Sequence, residues 1–180
     1  MEYFDVIDEN GNKTGETVSR HDAHAKGILH RAVHVWLVNK SGQILVQRRS
    51  PSMVAYPNLW DVSSSGHVST GQTNKEAAVR EVYEEIGLKI SQDQLQSLFT
   101  RNQNDILNGG TYINHEIDEI FLVEADITEN DIHIDHKEVS DAKFLDIDTF
   151  EDWVNGKGEE LVPHDEEYRR VLEYLKSRKS

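Results

Sequence analysis

The sequence predicts a mixed α/β chain, and three observations carry that expectation. Residues 31–38 are nearly all apolar, with Val33, Val35 and Leu37 on one face and Ala32, His34, Trp36 and Val38 on the other, which marks a central strand. Residues 73–86 place Ala78, Val79, Val82 and Ile86 at helical spacing, behind a capping-box pattern, Thr73-Asn74-Lys75-Glu76, and ahead of Gly87, a residue suited to a left-handed helix stop. Strand-like and helix-like segments alternate along the rest of the chain, the pattern of helices packed on a sheet.

Taken in order, Tyr3–Ile7 reads as a short strand, followed by a turn at residues 9–12. The central strand ends at the turn Asn39-Lys40-Ser41-Gly42, and residues 43–48 return beside it as a hairpin partner. Residues 60–64 are extended and lead to the capped helix. Further strands are expected at 95–101, 111–123 and 142–145, and helices at 147–154 and 165–176.

A length of 180 residues suits one domain with its own core, spanning 1–180, and no repeat or low-complexity linker divides it. No window of about 18 apolar residues exists, so a membrane span is not expected. Met1-Glu2-Tyr3-Phe4-Asp5 lacks the basic and then apolar pattern of a secretory signal, so a cytoplasmic location is expected. The absence of cysteine excludes disulfides, thiolate metal sites and a cysteine nucleophile. With 19 basic against 33 acidic residues, the formal charge of −14 repels a nucleic-acid backbone, so a phosphate-bearing partner must be met by local arginines or a bound cation.

Arg80-Glu81-Val82-Tyr83-Glu84-Glu85-Ile86-Gly87-Leu88 is the most informative segment. On a helix, Glu81, Glu84 and Glu85 stand at i, i+3 and i+4, where each like-charge pair costs about 0.2–0.5 kcal/mol. A hard divalent cation with oxygen ligands would turn that repulsion into coordination, which favours magnesium over zinc. A solvated acidic face is the alternative reading of the glutamates alone.

The segment with its upstream residues resembles the Nudix box: Gly66, five residues, Gln72, seven residues, then Arg80 through Leu88. Gln72 stands where that family usually carries glutamate; it can still accept a hydrogen bond from Arg80, without the charge assistance. The resemblance implies a Nudix-type α/β/α sandwich with a central mixed sheet, most specific over residues 28–150. It implies hydrolysis of a diphosphate linkage in a nucleoside diphosphate derivative or similar small organic diphosphate, with magnesium, or alternatively manganese, held by Glu81, Glu84 and Glu85. Gly66, Gln72, Arg80 and Gly87 would shape the motif. Glu81, Glu85 or a glutamate outside the box would act on the attacking water.

The flanking segments, Leu29-His30-Arg31-Ala32, Gln47-Arg48-Arg49-Ser50 and residues 60–68, resemble the branch related to isopentenyl-diphosphate isomerase. That enzyme uses a cysteine where this chain has Ser65, a far poorer acid–base group. The resemblance makes His67 a metal ligand and Glu116 a catalytic or metal-binding residue. His24 reads more simply as a surface histidine and His30 as a structural one. Arg31, Arg48 and Arg49 are candidates for diphosphate oxygens, although strand alternation lets at most one of Arg48 and Arg49 face a substrate. Glu138 is a second candidate base in a late loop, while Trp153 and Tyr168 are expected to be packing aromatics. Two rival functions remain beside the hydrolase: an isomerase, disfavoured by the missing cysteine, and a non-catalytic nucleotide- or metabolite-binding module. A homodimer is left open.

Overall fold

The computed structural model describes residues 1–179. Its architecture is built outward from β3 (His30–Asn39). One edge of β3 pairs in parallel with β8 (Tyr112–Ala125), from His30 opposite Glu116 to Asn39 opposite Ala125. The other edge is shared. β4 (Ile44–Arg49) meets it only at Val38 opposite Ile44, and β6 (Ser64–His67) pairs antiparallel with Ala32 to Val35.

The expected hairpin therefore closes only at its turn. Ser63 explains the departure: its hydroxyl accepts from the Leu37 N–H at 2.8 Å and donates to the Leu45 carbonyl at 2.5 Å, standing between the strands where a direct ladder would run. β4 turns instead to β5 (Trp60–Asp61) and to β9 (Val139–Leu145). β7 (Gln96–Leu107) runs antiparallel to β8 and extends well past the strand expected at 95–101. The polar run Asn102-Gln103-Asn104-Asp105 lacks the apolar alternation of a strand, but cross-strand pairing with β8 outweighs that local preference.

Helices cover both faces, giving a three-layer α/β/α arrangement about a mixed sheet. α2 (Asn74–Ile86) packs Ala78, Val82 and Ile86 against Val33, Val35 and Leu37. α3 (Ile147–Val154) and α4 (Asp165–Ser177) pack against Trp36, Val38, Ile120 and Leu122. The two sides of β3 thus divide between two cores along the alternation of its sequence. Trp153 and Tyr168 are buried in the second core. No helix of the described residues is long and apolar enough to cross a membrane.

Two elements were not expected: β2 (Lys13–Ser19), paired with β1 (Tyr3–Ile7), and α1 (Arg20–Lys26). β2 is largely exposed and polar, so no hydrophobic period announces it. α1 had a local signal: Ser19 caps it by accepting from the Asp22 N–H at 3.1 Å, and Gly27 closes it in the left-handed region. This unit packs Phe4, Val18 and Ala23 together beside the main sheet.

α2 starts and stops as its sequence predicts. Thr73 accepts from the Glu76 N–H at 3.2 Å while Glu76 accepts from the Thr73 N–H at 2.8 Å. Gly87 has φ 71° and donates its N–H to the Tyr83 carbonyl. A Cβ there would lie 2.8 Å from the His133 Cβ and 2.9 Å from the His133 carbonyl oxygen. Gly87→Ala is therefore expected to destabilise the fold by about 1–2 kcal/mol or more, read as a lower Tm. An unchanged Tm would show that this helix end relaxes freely.

Candidate active site

One face of the sheet changes character halfway along its strands. On β8, Asn114, Glu116 and Asp118 share a side with Ile120 and Leu122, by the two-residue repeat of a strand. Asp105, Gln103 and Arg101 of β7 lie opposite the three polar residues in register. On β3, His30 and His34 precede Trp36 on the same face. The apolar half is the floor beneath α3 and α4, whereas the polar half is the floor of a cleft of about 480 Å³. Glu81, Glu84 and Glu85 of α2, Glu138, Arg20 and Arg49 are among the residues that border this cleft.

The three glutamates of α2 are not equivalent. Glu85 is buried, and its Oε2 accepts from Gln47 at 2.8 Å, from the Ser64 hydroxyl at 2.7 Å and from the Ser65 N–H at 3.1 Å. Burial pushes its carboxyl up, only partly offset by those donors. Glu81 is also buried, against Gly66, where a Cβ would stand 2.0 Å from the Glu81 Cδ; glycine is what lets the carboxylate approach. Burial and then the charge of Glu85 push the Glu81 carboxyl up, against the pull of Arg80. The side chain of Glu84 is 54% exposed at the cleft edge.

Arg80 relieves more of this repulsion than the sequence suggested. Its Nη1 donates to Glu81 at 2.7 Å and to Glu84 at 3.1 Å. Its Nη2 donates to the His67 carbonyl at 2.9 Å and to Gln72 Oε1 at 3.2 Å. Gln72 thus bonds Arg80 as a neutral acceptor, and also accepts from the Ser69 N–H at 3.3 Å.

A second donor group lies in the same cleft wall. One ligand atom each from His24, His30, His67 and Glu116 lies within 4.8 Å of the others. This corrects the reading of His24 as a surface residue, since it is buried; His30, expected to be a structural hydrogen-bonding histidine, is buried too and lies in the same group. Each uses Nδ1 on a backbone carbonyl, His24 on Ile113 at 3.1 Å and His30 on Ile28 at 2.7 Å. That fixes the tautomer and leaves each Nε2 buried without a hydrogen bond. His67 Nε2 lies 3.0 Å from Glu116 Oε1, and His30 Nε2 lies 3.4 Å from the same oxygen.

Electrostatics keep this group ready for a cation. Burial, then the neighbouring His67, holds His24 down to about 4, and burial depresses His67 as well, which favours the neutral imidazole in both. Burial works against ionised Glu116, but the facing imidazoles of His30 and His67 outweigh it and hold its carboxyl well below the usual range. Phe4 roofs the group, stacked on His30 at 4.7 Å and on His67 at 4.8 Å. The orphaned imidazole nitrogens and the lone carboxylate are a donor set that a divalent metal would satisfy. α1, the helix the sequence did not announce, supplies His24.

Of the three candidate arginines, only Arg49 reaches the cleft. It is held by bonds to the Ala55 carbonyl at 2.9 Å and to Asp61 at 3.1 Å. Arg31 instead donates to the Gln72 carbonyl at 3.3 Å and lies 3.7 Å from Asp5, and Arg48 donates to the Asn58 carbonyl at 2.9 Å on the opposite side of its strand. Those two expectations are corrected. Arg20 of α1, which the sequence reading missed, borders the cleft, paired with Glu2 at 3.1 Å.

Below the cleft lies an ionic network with no counterpart among the expected residues. Glu167 of α4 accepts from Trp36 Nε1 at 2.9 Å and bonds His34 Nδ1 at 2.9 Å. Arg101 donates to Asp118 at 2.7 Å and contacts His164 Nδ1 at 2.9 Å. Burial alone would depress His34, but the charges of Glu167 and Asp118 raise it to about 9; burial opposes ionised Glu167, yet His34 holds it at about 2.

The NUDIX domain model matches residues 28–169. The chain belongs to the Nudix family. It is 34% identical over 182 residues to Nudix hydrolase 3 of Arabidopsis thaliana, an alignment that covers 98% of this chain but only 24% of that longer protein. It is 33% identical over 143 residues to an isopentenyl-diphosphate Delta-isomerase of Pectobacterium atrosepticum, covering 79% of this chain and 75% of the isomerase. Among solved structures, a Deinococcus radiodurans protein superposes with a TM-score of 0.69 at 25% identity, covering 94% of this chain and 98% of that one. The resemblance read from the box at 66–88 and its flanks is thus shown for the family.

The network beneath the cleft makes stability depend on pH in a definite direction. His34 is raised from 6.5 to about 9, so the stability it contributes is complete below its ordinary value and is lost as pH rises through about 9. Thermal melts should show Tm falling between about pH 6.5 and 9, and Glu167→Gln should flatten that slope. An equal slope in the variant would remove the His34–Glu167 pair as its origin.

Proposed function

We propose that this Nudix chain is a divalent-cation-dependent pyrophosphohydrolase that cleaves the diphosphate linkage of a nucleoside diphosphate derivative or similar small organic diphosphate. The observation that carries the reading is the crowding of Glu81, Glu84 and Glu85 onto one wall of a cleft that Arg20 and Arg49 also border. Two buried carboxyls held above their usual range by burial are groups that a cation would convert to ligands. The plant relative is named a Nudix hydrolase, which agrees with a hydrolytic reaction.

Glu81, Glu84 and Glu85 would hold magnesium, or manganese in its place, and His24, His30, His67 and Glu116 would hold a second cation whose nitrogen-rich shell suits manganese or zinc better than magnesium. When bound, such cations neutralise phosphate oxygens and acidify water. The chain's own groups do the rest. Arg20 and Arg49 bind diphosphate oxygens, as guanidinium forks do. The oxygen of a water forms the new bond to phosphorus, the bridging P–O bond breaks, and a carboxylate, Glu81 or Glu138, takes the water proton. Glu138 borders the cleft and its charge is felt by Glu85. Glu116 is committed to His30 and His67, so its part is to hold a metal rather than to move the proton.

The isomerase reading is carried by the histidine group and by the relative of that name. Ser65 stands against it, because a serine hydroxyl does not supply or remove a proton at neutral pH as a thiol can. A mixture of isopentenyl and dimethylallyl diphosphates, followed with and without phosphate release, separates the two.

Glu85→Gln should lower magnesium-dependent phosphate release from a panel of nucleoside diphosphate derivatives by about 100-fold or more while the chain stays folded. Unchanged turnover would remove α2 from the reaction. Gly66→Ala should keep the fold, because the flexible end of Glu81 can yield, but should weaken divalent-cation binding measured by calorimetry. Equal affinity would show that Glu81 is not a ligand.

A further inference from the structure

The cleft has a part that neither the phosphate-binding arginines nor the two metal-ligand groups use. It is the outer strip of the polar floor, where Asn114 faces Asp105 across β7 and β8, next to Gln103. Asn114 is only 9% exposed, borders the cleft, and its side-chain amide makes no hydrogen bond to any described residue. A buried amide normally finds partners. Here its carbonyl and amino group are free to meet something inside the cleft.

Its neighbours are arranged to leave capacity at the same spot. Asp105 accepts through Oδ2 from the Tyr56 hydroxyl at 2.9 Å and from Gln103 Nε2 at 2.6 Å, while its other oxygen has no partner among the described residues. Tyr56 is held in that position with φ 48°, a conformation a bulky residue adopts only when its surroundings over-determine it. Gln103 in turn accepts from Arg101 at 2.5 Å, so the strip is braced by the ionic network below. The deeper carboxylates of the floor are already paired, Asp61 with Arg49, Asp118 with Arg101 and Glu167 with His34. What is left over at Asn114 and Asp105 is a spare amide donor and spare acceptors, which suit a hydroxylated group. A hydrocarbon chain would leave those buried groups unpaired, and a site built to bond hydroxyls rejects a group that lacks them far more strongly than an apolar pocket rejects an added one.

We infer that Asn114, with the Tyr56–Asp105–Gln103 brace, reads hydroxyl groups on the part of the substrate beyond the diphosphate, so that the cleft takes diphosphates of ribosyl- or glycosyl-type groups and refuses hydrocarbon diphosphates. The inference rests on the pyrophosphohydrolase reading for its turnover, but its recognition claim is separable.

The experiment compares ADP-ribose with geranyl diphosphate, in magnesium, by turnover and by calorimetric binding, for the unaltered chain, Asn114→Leu and Tyr56→Phe. The expected result is at least about 100-fold preference for ADP-ribose, and a roughly tenfold rise in its KM and Kd in Asn114→Leu with kcat nearly unchanged. Tyr56→Phe alters only the far side of the strip and gives the same direction of change if Asn114→Leu fails to fold. Equal or better handling of geranyl diphosphate, or a preference untouched by both variants, overturns the inference while leaving the hydrolase reading in place. Tight, Asn114-dependent binding of ADP-ribose without turnover sustains the inference and sinks the hydrolase reading. Binding of neither compound overturns both.

Discussion

The structure depends on where the carboxylate of Glu85 is anchored. It lies at the end of α2, buried, and takes hydrogen bonds from Gln47 of β4, the Ser64 hydroxyl and the Ser65 N–H of β6. An ionisable group removed from water is tolerated only when its lone pairs are met. Meeting them ties one helix to two strands that otherwise share only an edge of β3. Ser63, one residue before β6, wedges β3 from β4. The three donors and the wedge together open the gap in which the other glutamates stand.

A single sheet face serves as both packing surface and cleft floor because its strands change composition partway along. β3 passes from His30 and His34 to Trp36, and β8 from Glu116 and Asp118 to Ile120. The boundary is spanned by Glu167, which reaches from α4 to His34 and to the indole of Trp36. Replacing such a buried ionic group by apolar residues is often neutral for stability, so its stronger effect here is on the shape and polarity of the floor. The overall acidity of the chain makes local cations matter more, and Arg20, Arg49 and Arg80 are the ones gathered at the cleft.

Much of this was legible in the sequence where the signal is local and periodic. The two faces of β3, the capping box of Thr73 and Glu76, the stop at Gly87 and the spacing of the box from Gly66 to Leu88 were all readable, and the family follows from them. What was hidden depends on contacts between residues distant in sequence. His24 looked ordinary because nothing nearby shows that Ile113 fixes its tautomer, and neither His24 nor His30 carries a local sign that Glu116 comes beside it. Arg20 was invisible because α1 is two turns long and β2 is polar. Arg31 and Arg48 bore the right chemistry, but the backbone carbonyls of Gln72 and Asn58 hold them elsewhere. The network of His34, Arg101, Asp118, His164 and Glu167 joins four elements and leaves no spacing to read.

The stacking of Phe4 on two imidazoles has a practical consequence for anyone handling the protein. Met1 is almost fully exposed, so an affinity tag can be appended ahead of it without disturbing the rings. Trimming back the opening strand, the usual first step when shortening a chain for crystals, would strip the aromatic cover from His30 and His67 and admit bulk solvent to nitrogens that are now dry. The leading strand therefore belongs with the histidine group it covers, although the family match begins only at residue 28.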